Sequence, residues 1–98
     1  MVTWTDHALE QLHKLHDYIA QDSLIYAKRV SETLVLKTKN LDQLPYKNRK
    51  ILEINNEKFR EVSQYSYRIL YEIKADETIE ILAVIHKRQD FKSQDLSK

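Results

Sequence analysis

Four cationic side chains stand among apolar neighbours in the second half of this chain. Arg60 lies in Phe59-Arg60-Glu61-Val62, Arg68 in Tyr67-Arg68-Ile69-Leu70-Tyr71, and His86 and Arg88 in Ile85-His86-Lys87-Arg88. A guanidinium binds phosphate or carboxylate through two parallel hydrogen bonds, and an imidazole can exchange a proton near neutral pH. Gathered on one sheet face, such groups would hold a phosphate or an acidic partner. Lys47, Arg49 and Lys87 are further candidates for contact with a target or an anion, set against the default of a solvated basic loop at 47–50. Each strong candidate has a plain structural alternative. Arg68 could pair with Glu61 or Glu72, and His86 could be a satisfied polar residue at a strand end. His13, His16 and Asp17 have a spacing that can bind metal on a helix. An exposed polar helix face accounts for them as well, so no metal and no cofactor is expected.

The bulk composition narrows the classes. Ninety-eight residues, 42% hydrophobic and 32% charged, make one globular domain. No cysteine is present, which excludes disulfides and thiolate metal sites and fits a reducing cytoplasm. No apolar run approaches the roughly 20 residues that span a bilayer, and no signal peptide is visible at the start. Net charge is +1, against a strong nucleic-acid binder. Residues 1–46 hold five basic and six acidic residues, net −1, and residues 47–98 hold eleven and nine, net +2. Glycine is absent, which excludes the glycine-dependent phosphate loops. Turns with positive φ then fall to Asn or Asp, with Asn55, Asn56 and Asp76 as candidates.

The elements that must position these residues follow from periodicity. Val2-Thr3-Trp4 is β-prone, and Thr5 with Asp6 offers an N-cap and a first-turn negative charge. Ala8, Leu12, Leu15 and Ile19 form one helical stripe. Asp22-Ser23 can cap a second helix whose stripe runs Ala27, Val30, Leu34, Leu41 and Leu44, broken at Lys37 and stopped near 44 by Pro45. The short gap between the two implies an antiparallel helical hairpin. Strands are expected at 51–54, 59–62, 67–73 and 79–85, the last central because it is apolar on both faces apart from Glu80. The order β-α-α-β-β-β-β indicates an α+β domain over residues 1–91, with the helical hairpin on one face of a mainly antiparallel sheet. A polar tail follows at 92–98.

Register decides which cations meet. Tyr67, Ile69, Tyr71 and Ile73 share one face, and Ile79, Ile81, Ala83 and Ile85 share one on the next strand. Placing both sets on the core side requires an odd connecting loop, 75–77 or 75–79. Arg68 and His86 are then opposed or diagonal on the face away from the helices. The preceding hairpin has two solutions. A turn at 63–65 sets Arg60 opposite Arg68, repulsive unless an anion lies between them. A turn at 64–65 sets Glu61 opposite Arg68, a plain salt bridge.

The ordered set of motifs over about residues 1–91 resembles the RelE/ParE superfamily of toxins from type II toxin–antitoxin systems. The matching elements are Trp4-Thr5 with Ala8 and Leu12, Ala27, Leu44-Pro45, Phe59-Arg60-Glu61-Val62, Tyr67-Arg68-Ile69-Leu70-Tyr71 and Ile85-His86-Lys87-Arg88-Gln89-Asp90-Phe91. The resemblance implies the same α+β fold, a cytoplasmic protein and a cognate antitoxin. It leaves the target divided. RelE-like members cleave mRNA at the ribosome, and this would make Arg68, His86 and Arg88 catalytic, with Glu53 a weaker candidate base. ParE-like members inhibit DNA gyrase. No tyrosine follows Tyr71, and Phe91 cannot transfer a proton. The ending His-Lys-Arg-Gln-Asp-Phe therefore favours the ParE-like branch. The ribosome-dependent endoribonuclease is the alternative, and an inactive antitoxin-binding module the third possibility.

Overall fold

The computed structural model describes residues 1–89; the expectations for Phe91 and the 92–98 tail lie outside them. Strand β1 (Val2–Trp4) leads into helix α1 (Asp6–Ala20), helix α2 (Leu24–Thr38), a short 3-10 turn (Pro45–Lys47) and strands β2 (Phe59–Gln64), β3 (Tyr67–Ile73) and β4 (Ile79–His86). The sheet order is β1-β4-β3-β2, with β1 parallel to β4 and the other pairs antiparallel. This is the expected α+β architecture, with β4 central.

Both helices begin where the sequence places their caps. Thr5 Oγ1 accepts from Ala8 N at 3.0 Å, and Ser23 Oγ accepts from Tyr26 N at 3.1 Å. The second helix is shorter than expected and ends at Thr38 rather than near 44. Beyond it Leu41 N bonds Thr38 O and Gln43 N bonds Asn40 O, so the backbone continues in three-residue turns. Leu41 still reaches the core while Leu44 is exposed. Thr38, not Lys37, takes the inward position, and its hydroxyl donates to Val35 O at 2.7 Å.

The expected strand at 51–54 is a turn. Lys50 makes one bridge to Arg60, Ile51 N bonds Phe59 O, and Ile54 and Asn55 N both fold back to Ile51 O. Asn55, at φ 52°, reverses the chain. The segment thus abandons strand geometry and lays Ile51 and Ile54 over the outer sheet face with Leu70, Ala83, Ile85 and Phe59. On the inner face α1 and α2 bury Ala8, Val30 and Leu34 against Ile69, Tyr71, Ile73, Ile79, Ile81 and Val84.

Two registers differ from expectation. The β2–β3 turn is at residues 65–66, so Arg68 opposes Ser63 and Arg60 opposes Tyr71; neither proposed hairpin forms. Between β3 and β4 the shorter loop is realised, with Lys74 N bonded to Thr78 O at 2.9 Å and Tyr71 opposite Ile81. Then Leu70 opposes Ala83, which leaves Leu82 as an extra residue in β4. This bulge switches the faces of everything beyond it. Ala83 and Ile85 turn outward with Arg68, and Val84 and His86 turn inward with Tyr67. Arg68 and His86 therefore lie on opposite faces, contrary to the register expected from the sequence. The bulge sits where β1 ends. Thr5 N bonds Ile81 O at 3.0 Å and Thr5 Oγ1 bonds Leu82 O at 3.3 Å. Past this point β1 offers no partner, and Gln11 Oε1 from α1 accepts Val84 N at 2.8 Å.

Candidate functional site: an arginine–carboxylate cleft on the outer sheet face

β2 places Glu61 on the outer face, β3 places Arg68 beside it, and the 49–54 segment brings Arg49 and Glu53 over them. Glu61 is the hub. Its side chain is 2% exposed, with Oε1 held by Arg49 Nε at 2.7 Å and Oε2 by Arg68 Nε at 3.0 Å. A carboxylate this buried requires such partners, because desolvation of an unpaired charge costs several kcal/mol. Arg68 turns its other edge to Glu53, with Nη1 to Oε2 at 2.9 Å and Nη2 to Oε1 at 3.0 Å. That is the planar bidentate pairing that suits a guanidinium. The Arg68 hydrogen bonds hold the Glu53 carboxyl below its ordinary value, while Glu53 and then Glu61 raise the Arg68 guanidinium further, beyond any physiological titration.

These residues line a cleft of about 350 Å³ together with Leu52, Ser63 and Lys87. Lys87 is tied there by its backbone N, which bonds Ser66 O at 2.7 Å. Of the cationic candidates, the structure thus brings together Arg49, Arg68 and Lys87. Arg60 and Lys47 fall elsewhere. Arg60 bonds Glu57 O at 3.0 Å, Asn48 O at 2.9 Å, Tyr46 O at 3.3 Å and Glu57 Oε2 at 2.8 Å, and its guanidinium carbon lies 5.2 Å from the Tyr46 ring centroid. It clamps the 46–48 turn to β2. Tyr71 pins the same turn, donating to Pro45 O at 2.8 Å and accepting from Asn48 Nδ2 at 3.0 Å; burial pushes its phenol up. Lys47, on that turn, borders a separate cleft with Lys37, Leu44 and Val62.

His86 packs edge-on against Tyr67, with ring centroids 5.7 Å apart. Its Nδ1 accepts the backbone N–H of Arg88 at 3.1 Å. Arg88 is exposed in the turn after β4. Burial raises the Tyr67 phenol above its ordinary value. Neither the imidazole nor that phenol reaches the Arg68 face. Among the described residues no cluster of three or more His, Asp or Glu could hold a metal ion. No helix among them is long and apolar enough to cross a membrane.

Glu53 as a ligand of Arg68 was hidden by reading 51–54 as a strand. Glu61 was legible as a partner, although it lies diagonal to Arg68 rather than opposite it.

The profile of a protein family described as "ParE toxin of type II toxin-antitoxin system, parDE" matches residues 2–91. No curated protein matches the chain. Among solved structures, the chromosomal ParDE system of P. aeruginosa superposes with a TM-score of 0.70 at 18% identity, covering 87% of this chain and 92% of that one. The toxin–antitoxin complex RelBE2 from Mycobacterium tuberculosis gives 0.64 at 25% identity, covering 91% and 92%. The first likeness supports the fold, and the match along nearly the whole described chain supplies the family: this protein belongs to the ParE toxins of type II toxin–antitoxin systems.

Proposed function

We propose that this toxin acts by inhibiting DNA gyrase through surface contact, without catalysis of its own, and that a cognate antitoxin neutralises it. The observation that carries the reading is the separation of Arg68 from His86. Cleavage of RNA at its 2′-hydroxyl needs a base, an acid and cations around one phosphate. Here Arg68 and Arg49 face outward, while His86 faces the helices and uses Nδ1 as a backbone acceptor. Among the described residues the carboxylates bonded to Arg68 are Glu61, which is buried between two arginines, and Glu53, whose carboxyl is held ionised by the arginine itself. A carboxylate whose affinity for a proton is lowered by an arginine is a poor base. The antitoxin reading is supported by the family and by the two similar structures, both described as toxin–antitoxin systems. Gyrase would place its action in the cytoplasm.

The test is a supercoiling assay with purified gyrase and the full chain, in parallel with primer extension on mRNA in a translating extract. The expected result is loss of supercoiling with accumulation of cleaved DNA, and intact message. Normal supercoiling at molar excess of the chain, with new codon-phased mRNA ends, would overturn the proposal in favour of a ribosome-dependent nuclease using Arg68, His86 and Arg88. Normal supercoiling, intact message and no growth arrest on induction would leave an inactive antitoxin-binding module.

A further inference from the structure

The two carboxylates on Arg68 are not equivalent. Glu61 is 2% exposed and shared with Arg49, so it is a fixed part of the sheet. Glu53 is 38% exposed and comes from the turn that follows Ile51. It takes the outer edge of Arg68, the edge that opens into the cleft bordered by Arg49, Leu52, Ser63 and Lys87. Leu52, adjacent to it, is 77% exposed. Glu53 regains water when it leaves Arg68, so its exchange for another carboxylate costs less than loss of the buried Glu61. Without Glu53 the cleft would present the fork of Arg68 and the charges of Arg49 and Lys87, with Glu61 alone opposing them.

We propose that Glu53 is an internal stand-in for a carboxylate supplied by a partner protein, and that the Arg49–Arg68–Lys87 cleft is a docking site for an acidic peptide segment. Three features set the ligand class. The planar bidentate geometry already present is that of a carboxylate. The buried Glu61 charge beside Arg68 opposes a phosphate dianion more strongly than a singly charged ligand. Exposed Leu52 at the rim provides an apolar surface for a side chain next to the acidic one, as in a Leu-Glu-Leu sequence. The resident glutamate thus shields the cation until a better-placed acid exchanges with it. This inference goes beyond the gyrase reading and does not depend on the identity of the target.

The experiment follows the arginine Nε–Hε signals of the full 15N-labelled chain by NMR during titration with the peptide acetyl-Leu-Glu-Leu-amide. The same titration with acetyl-Leu-Gln-Leu-amide and with inorganic phosphate provides the comparisons. The expected result is a saturable shift of Arg68 Nε–Hε with the Glu peptide and none with the Gln peptide. Glu53→Gln should tighten the Glu peptide about fivefold, the worth of an exposed ion pair. Lys87→Ala, at an exposed position, should weaken it by a similar factor and does not depend on how the 53 variant folds. Equal affinity in the unsubstituted, Glu53→Gln and Lys87→Ala chains would overturn the proposal. Tighter binding of phosphate than of the Glu peptide at Arg68 would also overturn it, and would make the cleft a phosphate site.

Discussion

Glu61 and Glu53 show how burial separates two chemically identical contacts to one arginine. Glu61→Gln removes the charge that holds Arg49 and Arg68 together at a 2% exposed site. Breaking a buried pair in this way destabilises by about 3 kcal/mol, because the Arg68 charge, 11% exposed, stays largely desolvated. Glu53→Gln acts near solvent and should cost about 1 kcal/mol or less. Urea denaturation of the two variants checks the contrast; equal midpoints would refute it. The candidate cations were visible in the sequence by type, but their grouping was not. Arg60 reads like Arg68, an arginine in an apolar strand, yet it faces the other way and binds backbone carbonyls of the 46–48 turn. Those carbonyls are available because Pro45 and the 3-10 turn present them, and backbone acceptors leave no mark on residue types.

At the level of elements, one residue in β4 decides which groups share a face. Ile81 to Ile85 is apolar throughout, so alternation carries no register information there. The sequence therefore supported a continuous ladder, and the bulge at Leu82 was invisible. The helix starts were legible because Thr5 and Ser23 are local signals. The end of α2 was not, since Leu41 and Leu44 keep a helical spacing after the helix has stopped. Thr5 links both cases. It caps α1 and also donates to Leu82 O at the bulge. Thr5→Ala should therefore lower stability by about 1–2 kcal/mol, a cap plus a buried hydrogen bond, whereas Thr5→Ser should recover most of it. Thermal unfolding of both variants provides the measurement, and equal loss in the two would refute the hydroxyl's role.

At the scale of the whole molecule, three carboxyls among the described residues are held below their ordinary values and contribute to the response to acid. Asp42 is lowered first by its hydrogen bond from the N-terminal ammonium, Glu53 by Arg68, and Asp76 by the Thr78 hydroxyl. Each folded value lies below the ordinary 3.8 or 4.5. The stability they contribute is present above those values and is lost as pH falls through the lower folded ones. Unfolding midpoints in urea should hold steady above about pH 5 and drop below about pH 4; a flat profile through that range would refute the linkage. The α+β outline was legible because the switch from helical to strand periodicity after Pro45 survives every local error of register. The absence of glycine was legible, but its placement only in part: Asn55 adopts positive φ as expected, whereas Tyr65 and Glu77 do so in place of the expected Asn56 and Asp76. Each such residue carries about 1 kcal/mol of local strain. An average chain of this length would contain about seven glycines, and each glycine replaced at a compatible site removes about 0.4–1 kcal/mol of conformational freedom from the unfolded chain. The strain at three turns is the folded-state counterpart of a stiffer denatured ensemble. Part of this toxin's stability therefore originates in the denatured state, where no contact between folded residues records it.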